Sequence, residues 1–198
     1  MATHALPETA QRRTTPASPR SRGRLVRREG RWCRHANALG RLSGCRAYFA
    51  TISRLGDGMF WYGLMGAMVL LDGMQGLRAS AHLATVGAAS LLLYKGLKRW
   101  TRRPRPFAAD RHIRAWVAPL DEFSFPSGHT LHAVAFTIVA LAYYPMLAWL
   151  LIPFTASVAL SRVVLGLHYP SDVLAATGIG SVLAIGSMWL FPMASVLG

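Results

Sequence analysis

Acidic residues are scarce in this sequence: 8 Asp and Glu stand against 22 Lys and Arg among 198 residues, a formal net charge of +14. Cysteine is scarcer, with only Cys33 and Cys45. Two thiols cannot build a disulfide scaffold, nor by themselves fill a four-ligand zinc site. Both lie in the basic N-terminal part and are expected to be reduced. No carboxylate cluster offers a magnesium site, since Asp110, Asp121 and Glu122 read as loop charges, and no metal or cofactor is expected. No internal repeat is evident. Charge of either sign is missing over long stretches: Phe123 to Ser161 and Val173 to Gly198 hold no Asp, Glu, Lys or Arg. With 53% hydrophobic residues and a mean hydropathy of +0.30, such runs exclude disorder for most of the chain. They argue against a soluble globular protein. They also argue against a nucleic-acid binder, which at a pI near 11.3 would be polar throughout.

The charge that is present divides the chain. Residues 1–54 carry 12 Arg and only Glu8 and Glu29, a net charge of +10. The rest carries 10 basic and 6 acidic residues, net +4. Residues 1–31, rich in Arg, Ser, Thr and Pro without an apolar period, read as a disordered basic tail. An organelle transit peptide has a similar composition, whereas a secretory signal would need an apolar stretch close behind its charges. Over 32–56, Leu39, Leu42, Ala47, Tyr48, Phe49, Ile52 and Leu55 recur at helical spacing among Arg41, Arg46 and Arg54. That pattern predicts an amphipathic helix in the membrane interface, its arginines toward anionic lipid headgroups.

Residues 57–198 read as a membrane domain. A bilayer core of ~30 Å needs about 20 mostly apolar helical residues. The uncharged stretches predict an all-α, polytopic bundle of about five transmembrane helices (four to six), near 58–77, 79–97, 129–144, 146–165 and 172–193. Gly63, Gly66, Ala67, Gly87, Ala88, Ala89, Gly178 and Gly180 are expected to allow close helix packing.

Against this background three charged clusters stand out. In the first, Pro104 and Pro106 stop a helix and hold the chain extended, so Lys98 and Arg105 can converge on one anion, a point charge beside a planar fork. Arg99, Arg111 and Arg114 read as positive-inside anchors. In the second, Phe125-Pro126-Ser127-Gly128-His129-Thr130 precedes an apolar run: Ser127 is a natural N-cap, and Gly128 opens the helix N-terminus to an anion. The plain reading, a helix cap with an interfacial histidine, stands beside it. In the third, Arg162 ends an uncharged span, and Asp172 in the first turn of the next helix can reach back to His168, fixing its tautomer and freeing the other nitrogen as a nucleophile. Asp172 also suits a helix N-terminus for its charge alone.

Together these residues resemble the type-2 phosphatidic acid phosphatase superfamily, which includes the vanadium-dependent haloperoxidases. That family carries Lys-x6-Arg-Pro, Pro-Ser-Gly-His and Ser-Arg-x5-His-x3-Asp. Here they stand as Lys98 with Arg105-Pro106, as Pro126-Ser127-Gly128-His129, and as Ser161-Arg162 with His168 and Asp172. The resemblance covers about 56–180. It departs at Ala176, where relatives often have Gly, and in the five expected spans, where membrane relatives often have six.

The resemblance implies a metal-free phosphatase acting on a lipid phosphate at the membrane: phosphatidate, phosphatidylglycerophosphate, or an isoprenoid phosphate or diphosphate such as undecaprenyl diphosphate. His168 would attack phosphorus, Asp172 orient it, and His129 serve the leaving group and then water. Lys98, Arg105, Ser127, Gly128 and Arg162 would hold the phosphoryl oxygens. His132 reads as a helix-face residue. The alternatives are a vanadium haloperoxidase-like enzyme and a catalytically silent, anionic-lipid-binding membrane protein.

The +10 N-terminal segment and the basic 95–114 loop predict a cytoplasmic N-terminus and a cytoplasmic site in a bacterial inner membrane. A hidden sixth span within about 34–57 would reverse the face. With Cys33 and Cys45 changed to Ser, a single cysteine at Ala109 is expected to react only with a membrane-permeant maleimide in intact cells. Labelling by an impermeant reagent would put the site outside.

Overall fold

The computed structural model describes residues 20–190, with side chains from residue 28 onward. The described residues form seven α-helices: α1 (Arg20–Leu39), α2 (Ser43–Arg54), α3 (Phe60–Thr101), the short α4 (Pro106–Ala109), α5 (Gly128–Tyr143), α6 (Ala148–Val164) and α7 (Pro170–Leu190). A π-turn, Leu55–Met59, joins α2 to α3, and a 3-10 turn, Pro145–Leu147, leads into α6. An isolated bridge pairs Pro104 with Phe123 across the long loop.

The N-terminal segment differs from the reading of its sequence. Of the expected disordered tail over 1–31, residues 1–19 lie outside the described residues and the remainder belongs to α1. The single helix expected over 32–56 is two helices. The break falls where Gly40, Arg41 and Leu42 each bond a carbonyl three residues back, at 3.1 Å. The Trp116 ring packs against it: a Cβ on Gly40 would stand 2.3 Å from the indole nitrogen. α1 is docked rather than free. Asn37 Nδ2 donates to the carbonyls of Arg114 (2.9 Å) and Val164 (3.0 Å), and its Oδ1 accepts the Arg114 N–H at 2.9 Å.

As far as the described residues reach, the five stretches expected to span are mainly helical, but the first two are one folded element. α3 doubles back at Gly73, whose φ of 52° and ψ of −119° suit only glycine. The arms, 60–72 and 74–101, then lie against each other, and Ser80 Oγ donates to the Met65 carbonyl at 3.0 Å. The first arm is about 20 Å long at ~1.5 Å per residue, shorter than the ~30 Å hydrocarbon core. Two helical stretches, Pro145–Val164 and Pro170–Leu190, are long and apolar enough to cross a membrane. The apolar α5 has 16 residues.

α5 is the centre of the bundle, packed against α3, α6 and α7. The core holds Leu83, Val86, Phe136, Val139, Leu151 and Val158. Within it the Trp61 ring meets Phe136 and Phe154 edge-on at 5.2 and 5.7 Å. The outside is also apolar: Leu70, Leu71, Leu92, Trp149, Leu174, Val182 and Trp189 are each exposed by more than 70%. A surface of that kind fits a hydrocarbon solvent.

Close packing rests on fewer small residues than expected. A Cβ on Gly63, Gly66 or Gly178 would meet nothing within 4 Å. On Gly180 it would stand 2.7 Å from the Leu131 carbonyl of α5, and on Gly87 2.8 Å from the Phe136 ring. Gly180→Ala is therefore expected to lower stability by about 1–3 kcal/mol, since overpacking forces α7 off α5. Gly178→Ala, two residues away on the open face, is expected to be near neutral. Thermal melting of the two variants in detergent checks the contrast.

Candidate active site

All the hairpins return to one end of the bundle, and a cavity of about 800 Å³ opens there. Of the residues singled out by sequence, Lys98, Arg105, Gly128, His129, Arg162 and His168 line it. Trp61, Met65, Leu91 and Phe136 form an apolar wall of the same cavity. Ser127 and Asp172 are fully buried and stand behind it.

Each cation arrives by a local rule. Arg102, in the left-handed region at φ 46°, caps α3, so Lys98 lies in the last turn. The chain then runs extended through Arg105 into Pro106, the first residue of α4. Arg105 is 2% exposed and nearly saturated. Its Nε donates to the Asp121 carbonyl at 2.9 Å and its Nη2 to the Asp121 carboxylate at 2.8 Å. Its Nη1 donates to the Leu167 carbonyl at 3.0 Å and lies 3.3 Å from His168 Nε2. Lys98 Nζ reaches the other Asp121 oxygen at 2.5 Å. Asp121, a loop charge by sequence, is thus the carboxylate that bridges the two cations. Burial raises its pKa, but Lys98 and Arg105 outweigh this and hold it below the usual carboxylate range.

Arg162 is buried at the end of α6. Its Nη1 donates to Ser53 Oγ of α2, and its Nε has no hydrogen-bond partner. Ser127 caps α5: its Oγ meets Thr130 Oγ1 at 2.9 Å and accepts the Thr130 N–H at 3.5 Å. Its hydroxyl therefore serves the helix rather than the cavity, where the first-turn backbone at Gly128 is presented instead. His132 also pins helices, placing its ring nitrogens 2.9 Å from the Gly128 carbonyl and 3.2 Å from the Gly87 carbonyl.

His168 sits on the loop between α6 and α7, and Gly166, at φ 78°, turns that loop against the Arg114 carbonyl. Burial, and then Arg162, Arg105 and Lys98, push the His168 imidazole well below its ordinary pKa. It is therefore neutral, as a nucleophile must be. The expected hydrogen bond from His168 Nδ1–H to Asp172 is not made: Nδ1 and the carboxylate are 3.7 Å apart, an ion-pair distance beyond hydrogen-bond reach. Asp172 is held elsewhere. One oxygen accepts from Arg103 at 2.7 Å and the other from the Tyr169 N–H at 2.9 Å.

Arg103 is a residue that sequence reasoning left without a role. It also pairs with Glu29 of α1 at 2.6 Å and lies 4.1 Å from the Tyr169 ring centroid. Its place inside the Lys98–Arg105 run was the available signal. Asp57, also missed, meets His129 Nε2 from the π-turn; no motif marks it. Among the described residues no group of three or more His, Cys, Asp and Glu gathers as a metal-binding set. The arrangement can hold a tetrahedral anion between cations and present a neutral imidazole nitrogen to it.

A family model described as PAP2 superfamily matches residues 79–195. The undecaprenyl-diphosphatase BcrC of Bacillus subtilis is 31% identical over 108 residues, 54% of this chain and 55% of that protein. This chain thus spans about half the length of that relative. The decaprenylphosphoryl-5-phosphoribose phosphatase of Mycolicibacterium smegmatis is 35% identical over 145 residues, 70% of this chain and 73% of that protein. The fold is similar to the crystal structure of a transmembrane PAP2 type phosphatidylglycerolphosphate phosphatase from Bacillus subtilis, with a TM-score of 0.70 at 24% identity, over 86% of this chain and 88% of that one.

Cys33 of α1 backs the His168 loop, its Sγ 3.9 Å from the His168 carbonyl. Both cysteines are free. Burial first, then Glu29 and Asp172, push the Cys33 thiol up to about 12. At pH 7 the folded protein is expected to leave Cys33 unlabelled by maleimide, while half-buried Cys45 reacts. Quantitative labelling before and after denaturation measures this, and equal rates for the two thiols would refute the docking of α1.

Proposed function

This chain belongs to the PAP2 superfamily, and we propose that it is an integral-membrane, metal-independent phosphatase of lipid phosphates that works through a phosphohistidine. The observation that carries this reading is the cavity itself. A buried neutral imidazole faces Lys98, Arg105 and Arg162 at one end, and an apolar wall continues from it. A phosphoryl headgroup fits the first part and a lipid stem the second.

In this reading Lys98, Arg105, Arg162 and the α5 N-terminus at Gly128 hold the phosphoryl oxygens, and Ser127 acts by ordering that N-terminus. Arg105 turns from Asp121 and His168 toward the substrate. His168 Nε2 attacks phosphorus in line; the P–O bond to the leaving group breaks as the N–P bond forms. Asp172, with Arg103, fixes the loop and offsets the charge that His168 acquires. His129 donates a proton to the leaving oxygen, then takes one from the water that releases phosphate. The cations match the charge of the five-coordinate transition state, the usual main source of rate enhancement in such sites. They do the electrostatic work that a metal ion would do elsewhere.

The substrate class is a lipid monophosphate or diphosphate, as the names of the relatives and the apolar wall together favour. No observation favours haloperoxidase chemistry. We place α1 and α2 at the interface, where exposed Trp32, Leu42 and Tyr48 alternate with arginines that attract anionic lipids. Asp57 and Lys98 line the same cavity, so the segment before α3 and the site share one end of the bundle, the cytoplasmic end by its positive charge.

The test is phosphate release by the purified protein from phosphatidate, phosphatidylglycerophosphate and isoprenoid diphosphates. His168→Ala is expected to lose on the order of 10⁴-fold or more, together with any acid-labile phosphoenzyme. Vanadate is expected to compete with substrate, and activity to survive EDTA. Normal turnover by His168→Ala, or an activity abolished by EDTA and restored by magnesium, would sink the mechanism.

A further inference from the structure

The family match begins at residue 79, yet two side chains from before it touch the site. Ser53 accepts from Arg162, and Asp57 meets His129 Nε2. Their placement is built. Gly56 packs on α6, where a Cβ would stand 3.1 Å from the Val158 side chain, and Gly58 takes a φ of 134° that turns the chain into α3. The π-turn carrying Asp57 is thereby set on the rim of the cavity.

We propose that Asp57 is the proton partner of His129, a positioning residue that holds the ring and favours its protonated form. The inference rests on the phosphatase reading above. Four groups from separate elements face His129: Asp57 from the π-turn, Arg162 from α6, Lys98 from α3 and His168 from the α6–α7 loop. Arg162 and Lys98 place positive charge beside the ring, and Asp57 is the carboxylate that meets it and favours a proton there. Burial also works against ionised Asp57, but the contact with His129 and the charges of Arg162 and Arg54 outweigh it and keep the carboxylate below its usual range.

The step balances. The imidazolium of His129 gives its proton to the leaving oxygen as the P–O bond breaks and His168 bonds to phosphorus. Neutral His129 then accepts a proton from water as the water oxygen bonds to phosphorus and the N–P bond breaks. Asp57 stays ionised throughout. Each histidine of the site thus has a carboxylate nearby: Asp172, 3.7 Å from His168 Nδ1 and held by Arg103, and Asp57 against His129.

The experiment compares wild type, Asp57→Asn, Asp57→Glu, His129→Asn and the Asp57→Asn/His129→Asn double variant in detergent. The substrates are phosphatidate, with a poor leaving group, and p-nitrophenyl phosphate, with a good one. Asp57→Asn is expected to slow phosphatidate turnover about 10²-fold, the usual range of a general-acid effect, and to move the alkaline limb of kcat/KM to lower pH. First-turnover release of p-nitrophenol is expected to stay within about threefold of wild type, because that step needs little proton donation. Asp57→Glu should recover much of the loss. The double variant should be no slower than His129→Asn alone, since the two act as one unit.

Asp57→Asn with a wild-type rate and pH profile on phosphatidate overturns the role, as does an additive loss in the double variant. Equal loss of both first turnovers in Asp57→Asn and Asp57→Glu does the same, by showing that the π-turn only shapes the pocket. Wild-type protein that cleaves neither substrate, nor any lipid phosphate in the screen above, overturns the phosphatase reading itself.

Discussion

Charges kept in a medium that does not tolerate them organise this molecule. An uncompensated ion in a low-dielectric interior costs several kcal/mol, yet Lys98, Arg105, Arg162 and Asp172 are each less than 7% exposed. Most of these charges are matched by an opposite one. Asp121 bridges Lys98 and Arg105, and Arg103 ties Asp172 to Glu29. Arg162 is the exception: its direct partner is the Ser53 hydroxyl, and one of its nitrogens is left without any. A polar group stored unpaired in a buried pocket is costly unless a ligand completes it. The place where compensation is incomplete is therefore where an anion is best received.

The fold gathers these charges at one end. α3 doubles back at Gly73, and α5, α6 and α7 are joined by short turns, so Lys98, His129, Arg162 and His168 converge although they are far apart in the chain. The opposite end is held by Tyr144, whose hydroxyl donates to Asp72 at 2.7 Å. Inside the bundle, His82 lies 3.1 Å from the Tyr143 hydroxyl and 2.8 Å from Ser187 Oγ, a polar contact among three helices. α5 carries the largest burden, because its N-terminus forms part of the pocket floor while its flanks pack on three neighbours. The tight approach of Gly180 to its backbone follows from that position.

The N-terminal segment is part of this machinery. Glu29 neutralises Arg103, Cys33 fills the space behind His168, Asn37 latches the loop to α6, and Ser53 and Asp57 reach Arg162 and His129. Its arginine-rich composition hides this. Charge counting registers the many arginines, whereas the docking depends on a few buried residues among them.

Local chemistry written into short segments was legible in the sequence. Uncharged runs foretold helices, because only a helix satisfies its own backbone in an apolar solvent. Proline and capping rules placed the end of α3 and the start of α5. Motif spacing singled out Lys98, Arg105, Gly128, His129, Arg162 and His168, which meet at the cavity, since within each motif a few residues of fixed local geometry relate one side chain to the next. What tertiary structure alone decided are the contacts between distant segments. These include the fold-back of α3, the break between α1 and α2 under Trp116, and the exposed faces of Gly63, Gly66 and Gly178. They also include Arg103 rather than His168 as the near partner of Asp172, and the carboxylates Asp121 and Asp57 against the cations and His129. No local rule carries such pairings, because a carboxylate in a loop has the same sequence signature whether it faces water or a buried cation. Only the packed bundle, which removes the water, makes the difference.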